Sequence, residues 1–196
     1  MCGMDRPLSG EPLSLDLVNT LWLRDDGEHD ALATEEGLAE WLDERKLHVT
    51  PATEPVRLAL LHTRAVLRAI LEDQPGAERL LNAVLARGLI SRSLRDGRAE
   101  RRVAFADPAW ALAWEAAEDY LRLREASGHG IRRCGRESCV LYFFDPSGRR
   151  RWCSMAGCGN RAKAQRHYAR QREASRPGQR AADRAEAPAE HAANGA

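Results

Sequence analysis

Two C-x4-C pairs, an uninterrupted basic run behind them and a succession of amphipathic stretches ahead of them predict an α+β protein. The expected architecture is a mostly helical N-terminal domain with a β-hairpin, followed by a small zinc-ribbon or treble-clef-like finger that ends in a basic helix. At 196 residues the chain has room for one or two small domains. The spacing of the elements places the helical domain at 1–128, the finger at 129–174 and a low-complexity, disordered tail at 175–196.

Residues 1–12 hold glycine and proline and are expected to be loose, with Cys2 incidental. From Leu13 to Leu23 two periodicities compete. Leu13, Leu15, Leu17, Leu21 and Leu23 alternate as a strand would, while Leu13, Leu17, Val18, Leu21 and Trp22 fall on one helical face. A helix is the expectation. Asn19 interrupts this apolar stretch, and a buried amide must find hydrogen-bond partners. It either ties down a neighbouring loop or, with Asp16, lines a ligand pocket.

Thr34 caps a helix whose first residues, Glu35 and Glu36, suit the positive end of its dipole, and which stops near Lys46. A longer helix runs from Glu54 to about Asp73, with Val56, Leu60, Leu67 and Ile70 inward and Arg57, Arg64 and Arg68 as a solvated stripe. Pro75-Gly76 breaks the chain, and Ala77 to Arg87 forms a third helix closed by Gly88, with Asn82 open to the same two readings as Asn19. Asp96-Gly97 sits between two segments of Leu89 to Phe105 and signals a hairpin, whose arginines are read as an exposed face rather than a second nucleic-acid site. Asp107-Pro108 opens a last helix to about Glu125, on which Glu115, Glu118 and Asp119 are read as a solvated face rather than an acid/base pair. Ser127 to Gly130 is a short hinge before the finger.

Cys134 and Cys139 are separated from Cys153 and Cys158 by thirteen residues, enough to run out and back. Each pair can hold one ion from a single turn, and four thiolates around one tetrahedral ion describe one structural Zn2+. Disulfides would need an oxidising compartment, and MCGMDRPLSGEP has no apolar run to serve as a signal peptide. Val140 to Phe144 is β-prone, Asp145 to Gly148 reads as a turn and Arg149 to Trp152 as the return, so a hairpin is expected there. Phe143, Phe144 and Trp152 would form the finger's small core. From Arg161 to Arg172 alanine, glutamine, lysine and arginine give a basic helix. So small a module needs its metal to fold. Zinc loss is expected to unfold the finger and leave the helical domain nearly intact.

The net charge of +1 conceals a dipolar chain: residues 1–130 carry net −7 and residues 131–180 net +10. Thirteen basic against three acidic residues in the latter segment is the footprint of a phosphate-backbone binder. Arg149, Arg150, Arg151, Asn160, Arg161, Lys163, Gln165, Arg166 and Arg170 are the candidate nucleic-acid contacts, with Gln165 and Gln171 able to read adenine edges. Asn160 and Arg161 adjoin a metal ligand and could equally brace the site. His167 is left out of the site because four cysteines satisfy zinc.

CGNRAK at Cys158 to Lys163, preceded by RRWCSM at Arg150 to Met155, resembles the signature of the CGNR zinc-finger family, bacterial proteins regarded as stress-induced transcription regulators. LDLVNT at Leu15 to Thr20 resembles the N-terminal motif of the ABATE domain that precedes the finger in that family and is held to sense a ligand. The resemblance implies a cytoplasmic, ligand-responsive regulator binding double-stranded DNA, with a small-molecule effector or a second subunit, as in a homodimer, at the N-terminal domain. An adaptor that docks an acidic protein and an RNA-binding protein are the alternatives. No P-loop, dinucleotide fingerprint or HExxH is present, no apolar stretch reaches the ~20 residues of a membrane span, and no enzyme is expected.

Overall fold

The computed structural model describes residues 6–48 and 50–175; Cys2 and the tail beyond Ser175 lie outside the described residues. Helices α1 (Leu13–Val18), α2 (Glu35–Glu44), α3 (Glu54–Leu71), α4 (Ala77–Leu85), α5 (Ala111–Ala126) and α6 (Asn160–Ser175) alternate with three two-stranded antiparallel hairpins. These pair β1 (Leu21–Arg24) with β2 (Gly27–Asp30), β3 (Gly88–Arg95) with β4 (Arg98–Phe105), and β5 (Ile131–Arg133) with β6 (Tyr142–Phe144).

Local chemistry explains most of the boundaries. Thr34 Oγ1 accepts from Gly37 N at 3.1 Å to cap α2, and Asp107 accepts from Ala109 N at 3.0 Å to open the turn that leads into α5. At the β3–β4 tip Asp96 and Gly97 take φ of 50° and 74°, the left-handed geometry a two-residue hairpin turn requires. The hairpin root is pinned by Trp114, which meets the Phe105 ring edge-on and donates from Nε1 to Leu85 O at 2.8 Å. The arginines Arg92, Arg95, Arg98, Arg101 and Arg102 are exposed.

The helix expected over Leu13–Leu23 stops at Val18, and Leu21–Arg24 is a strand. The chain turns because its polar residues are captured: Thr20 Oγ1 donates to Leu17 O at 2.7 Å, and Thr20 O accepts from Ala31 N at 2.8 Å. The arginine stripe on α3 is likewise turned inward rather than solvated. Arg64, 8% exposed, holds both oxygens of Asp30 at 2.6 and 2.7 Å and also Thr20 Oγ1. Arg68 donates to Val18 O and Leu21 O, and Arg57 to Leu32 O. Arg68 thus satisfies carbonyls where α1 gives way to β1, while Arg64 and Arg57 satisfy the carboxylate and carbonyl oxygens where β2 ends. Asp119 also leaves the solvated face, accepting from Ser14 N and Oγ at 2.8 and 2.7 Å, whereas Asn82 is exposed.

The main core gathers α1, α2, α3, α4 and α5 around Leu15, Trp41, Leu60 and Leu67, and it includes Tyr142 of β6. A second cluster joins the four finger cysteines, Leu141 and Phe143 to Trp22 of β1 and Ala31. Each cluster therefore contains residues from both sides of the predicted domain boundary. Gly130 does not swing as a free hinge: its carbonyl accepts from Asp145 N at 2.7 Å, and an added Cβ would meet the Phe144 ring at 2.5 Å. The two units share buried surface, from which coupled stability, rather than independence of the helical domain from zinc, is expected.

Candidate metal centre

The finger is built on two turns that converge. Cys134 N donates to Leu141 O at 2.9 Å as β5 ends, and Cys139 N donates to Arg136 O at 3.0 Å, closing the first Cys-x4-Cys turn. The second turn begins at Ser154, whose Oγ accepts from Gly157 N at 3.3 Å. Residues Met155–Gly159 then form one wide π-helical turn that carries Cys158 back beside Cys153 and runs into α6. Such bulged turns often mark functional sites.

The hairpin forms with a different partner than expected. β6 pairs with β5, Ile131 opposite Phe144 and Arg133 opposite Tyr142, rather than with Arg149–Trp152. Asp145 explains why: its carboxylate accepts from Ser147 N, Ser147 Oγ and Arg150 N at 3.1, 2.5 and 2.6 Å, coiling the segment into a tight loop. The same hydrogen bonds, led by Ser147 Oγ, hold the Asp145 carboxyl below the ordinary carboxylate range. Of the expected finger core, Phe143 is fully buried and Trp152 packs against its cluster, while Phe144 packs against the main core.

All four cysteines are buried, unpaired by disulfides, and their Sγ atoms lie within 4.8 Å of one another. Cys139 and Cys153 are 3.9 Å apart and Cys153 and Cys158 3.5 Å. Tetrahedral Zn–S bonds of about 2.3 Å imply S–S edges of about 3.8 Å. The sulfurs therefore stand at the separation that one zinc demands, and Cys134, Cys139, Cys153 and Cys158 form the site for one Zn2+. Without a cation such crowding divides charge unequally. The hydrogen bond from Cys153 lowers Cys139 to about 5, the same contact raises Cys153, and desolvation raises Cys158 to about 11. A divalent ion lets all four ionise together. Cys134 Sγ also accepts from Cys153 N at 3.4 Å, a backbone hydrogen bond of the kind that orients a thiolate ligand.

Beyond Ala162 every side chain of α6 through Arg172 is exposed. Arg161, Lys163, Gln165, Arg166 and Arg170 therefore all reach solvent. Arg161 Nη1 lies 3.5 Å from Asp25, and Asn160 Nδ2 donates to Ala156 O at 3.4 Å inside the ligand-bearing turn. Arg149 and Arg151 are exposed, but Arg150 is turned inward. It pairs with Glu11 at 2.8 Å, donates to Trp152 O and Cys153 O, and covers the Phe143 ring. His167 is not part of the sulfur cluster.

Asp16 and Asn19 are both fully buried, and their polar atoms are engaged by protein. Asp16 accepts from Arg6, Trp41, Gly10 N and Arg45 at 2.8–3.0 Å. Asn19 grips the finger strand: Nδ2 donates to Tyr142 O at 2.8 Å, and Oδ1 accepts from Tyr142 N at 2.9 Å. Glu11 completes the seam by accepting from Phe144 N at 3.0 Å. Sequence reasoning missed Glu11 and Arg6; their only signal is an ionic type near the chain start, which many surface residues share.

Residues 11–126 match the family model ABATE, described as a putative stress-induced transcription regulator. Residues 131–171 match the CGNR zinc finger. No curated protein matches the chain.

Proposed function

From the premise that the chain belongs to the ABATE family and carries a CGNR zinc finger, we propose that it is a transcription regulator binding duplex DNA through α6. The observation that carries this reading is the exposure of Arg161, Lys163, Arg166 and Arg170 along a helix whose described side chains are buried only at Ala162. A helix of α6's diameter enters the major groove, where arginines hold phosphates or guanine edges and Gln165 can read adenine. Zinc would be held by Cys134, Cys139, Cys153 and Cys158 and would supply structural crosslinking; four thiolates complete its shell, so the reading is non-catalytic. The turn that supplies Cys158 also starts α6, so metal binding fixes where the basic helix points.

In this reading the N-terminal domain controls the finger through contacts it already makes. Asn19 and Glu11 hold β6, and Trp22 packs in the cysteine cluster. A ligand that shifts α1 or β1 would shift the finger with it. Among the described residues no helix is long and apolar enough to cross a membrane, and a cytoplasmic location accompanies a regulator of this kind. Tyr168, 65% exposed on α6, favours RNA as the second reading, since an exposed ring can stack on unpaired bases. Fluorescence anisotropy of the zinc-loaded protein against promoter fragments, random duplex and single-stranded RNA tests the proposal. Selective retention of a promoter duplex is expected. Preferential binding of RNA selects the second reading, and no nucleic-acid binding overturns both.

A further inference from the structure

The β3–β4 hairpin is fixed to the helical domain only at its root. Gly88 packs so tightly on Trp114 that an added Cβ would sit 2.5 Å from its Nε1, and Phe105 meets the same indole edge-on. Arg101 crosses that ring to reach Glu118 at 3.2 Å. From Leu89 to Arg102 every residue except the half-buried Glu100 is exposed, on both faces of the ribbon. A two-stranded hairpin that buries neither face is marginally stable by itself.

Its charge is distinctive. Residues 88–105 hold five arginines and two acids, net +3, within an N-terminal unit of net −7. The register sets the arginines against one another: Arg92 is directly opposite Arg101, and Arg95 opposite Arg98. Like charges so placed destabilise a strand pair. Glu100 is shared, 3.7 Å from Arg95 and 3.4 Å from Arg102, whereas Arg92 and Arg98 have no side-chain partner among the described residues. Side chains alternate along each strand, so Arg92 and Arg101 occupy one face and Arg95, Arg98 and Arg102 the other. An acidic protein surface would neutralise one face; a nucleic-acid groove presents phosphates on two walls. The major groove, about 12 Å wide and 8.5 Å deep, admits a two-stranded ribbon. Ser91 to Arg95 spans about 16 Å at ~3.3 Å per residue, enough to reach the groove floor.

We propose that the β3–β4 arm is a second duplex-DNA contact that enters the major groove tip first. Arg92 and Arg102, on opposite faces, meet opposite phosphate walls, and Arg95 and Arg98, beside the turn, come closest to the base edges. This deepens the duplex-binding reading and rests on it, adding a contact separate from α6.

Zinc-loaded full-length protein is titrated against a fluorescent random-sequence duplex over a series of salt concentrations, followed by anisotropy. Arg92→Ala combined with Arg98→Ala is the informative variant, because neither side chain has a partner whose loss would disturb the fold. Binding about ten-fold weaker is expected, with the slope of log affinity against log salt reduced by about 2 and with zinc content and Tm unchanged. Arg79→Ala combined with Arg122→Ala removes the same charge from exposed helical positions, and screening should hold its effect below about two-fold. An arm variant that binds like the wild type, or no more weakly than this charge-matched control, overturns the proposal. So does a wild-type dimer in sedimentation that the arm variant dissociates, which assigns the arm to a second copy of the chain. Weakening by Arg166→Ala with Arg170→Ala but not by the arm variant leaves the α6 reading intact and excludes the arm. The reverse pattern keeps the arm and removes α6, and a wild type that binds no duplex overturns both.

Discussion

Replacing Asn19 with Ala is expected to loosen the finger and destabilise the whole chain. Asn19 is fully buried and makes two hydrogen bonds, 2.8 and 2.9 Å, to the backbone of Tyr142, itself 4% exposed. Truncation orphans one buried N–H and one buried C=O, each costing about 1–3 kcal/mol. Partial relaxation brings the expected loss to roughly 3 kcal/mol, or about 6–12 °C in Tm for a domain of this size. Urea unfolding of the zinc-loaded protein is read by tryptophan fluorescence, while a chromophoric chelator reports zinc release. Trp41 and Trp114 report the helical core and Trp22 and Trp152 the finger side. Both signals should move together and to lower urea in Asn19→Ala. The exposed Asn82→Ala should stay within about 0.5 kcal/mol of wild type. A stability change below about 0.5 kcal/mol in Asn19→Ala, or zinc release well before helical unfolding in the wild type, would refute the coupling.

Cys153→Ser should abolish stoichiometric zinc binding and lower the helical unfolding midpoint as well, because Trp22 and Ala31 share the cysteine cluster; an unchanged helical transition by circular dichroism would show the units to be separable. Replacing Arg166 and Arg170 with Ala should preserve zinc content, weaken duplex binding and reduce the slope of log affinity against log salt by about 2 if each neutralises one phosphate; unchanged affinity would remove α6 from the interface. For Asp30, burial acts to raise the carboxyl, but the hydrogen bonds from Arg64 and Leu32 N together with the charges of Arg64 and Arg57 outweigh it, leaving a lowered pKa. The stability it contributes is then present above the unfolded value near ~4 and lost as pH falls through the folded value. Asp30→Asn should therefore flatten the decline of Tm at acid pH, and an identical pH profile would count against this ion pair.

The metal centre was legible because its determinants are local. A C-x4-C spacing sets which sulfurs share a turn, and the geometry then matches the zinc requirement without help from distant residues. The caps at Thr34 and Asp107 and the Asp96-Gly97 turn were legible for the same reason: each acts within three residues. Over Leu13–Leu23 both periodicities were present in the residues, and each governs one half of the segment.

Other features depend on partners that periodicity cannot see. The hydrogen bonds of Asn19 join residues 123 apart, and those of Glu11 to Phe144 and Arg150 span 133 and 139. Arg57, Arg64 and Arg68 look like a solvated stripe because helical spacing shows only that they share a face. The carbonyls at the end of α1 and the Asp30–Leu32 segment at the end of β2 decide that this face points inward. The pairing of β6 with β5 follows from Asp145 coiling the intervening loop and Asn19 holding Tyr142 from the side. The sequence by itself determined which residues ligate zinc, where most helices begin and where positive charge collects. Tertiary structure decided that finger and helical domain share a core, since an unpaired buried polar group is costly enough to select a partner from anywhere in the chain.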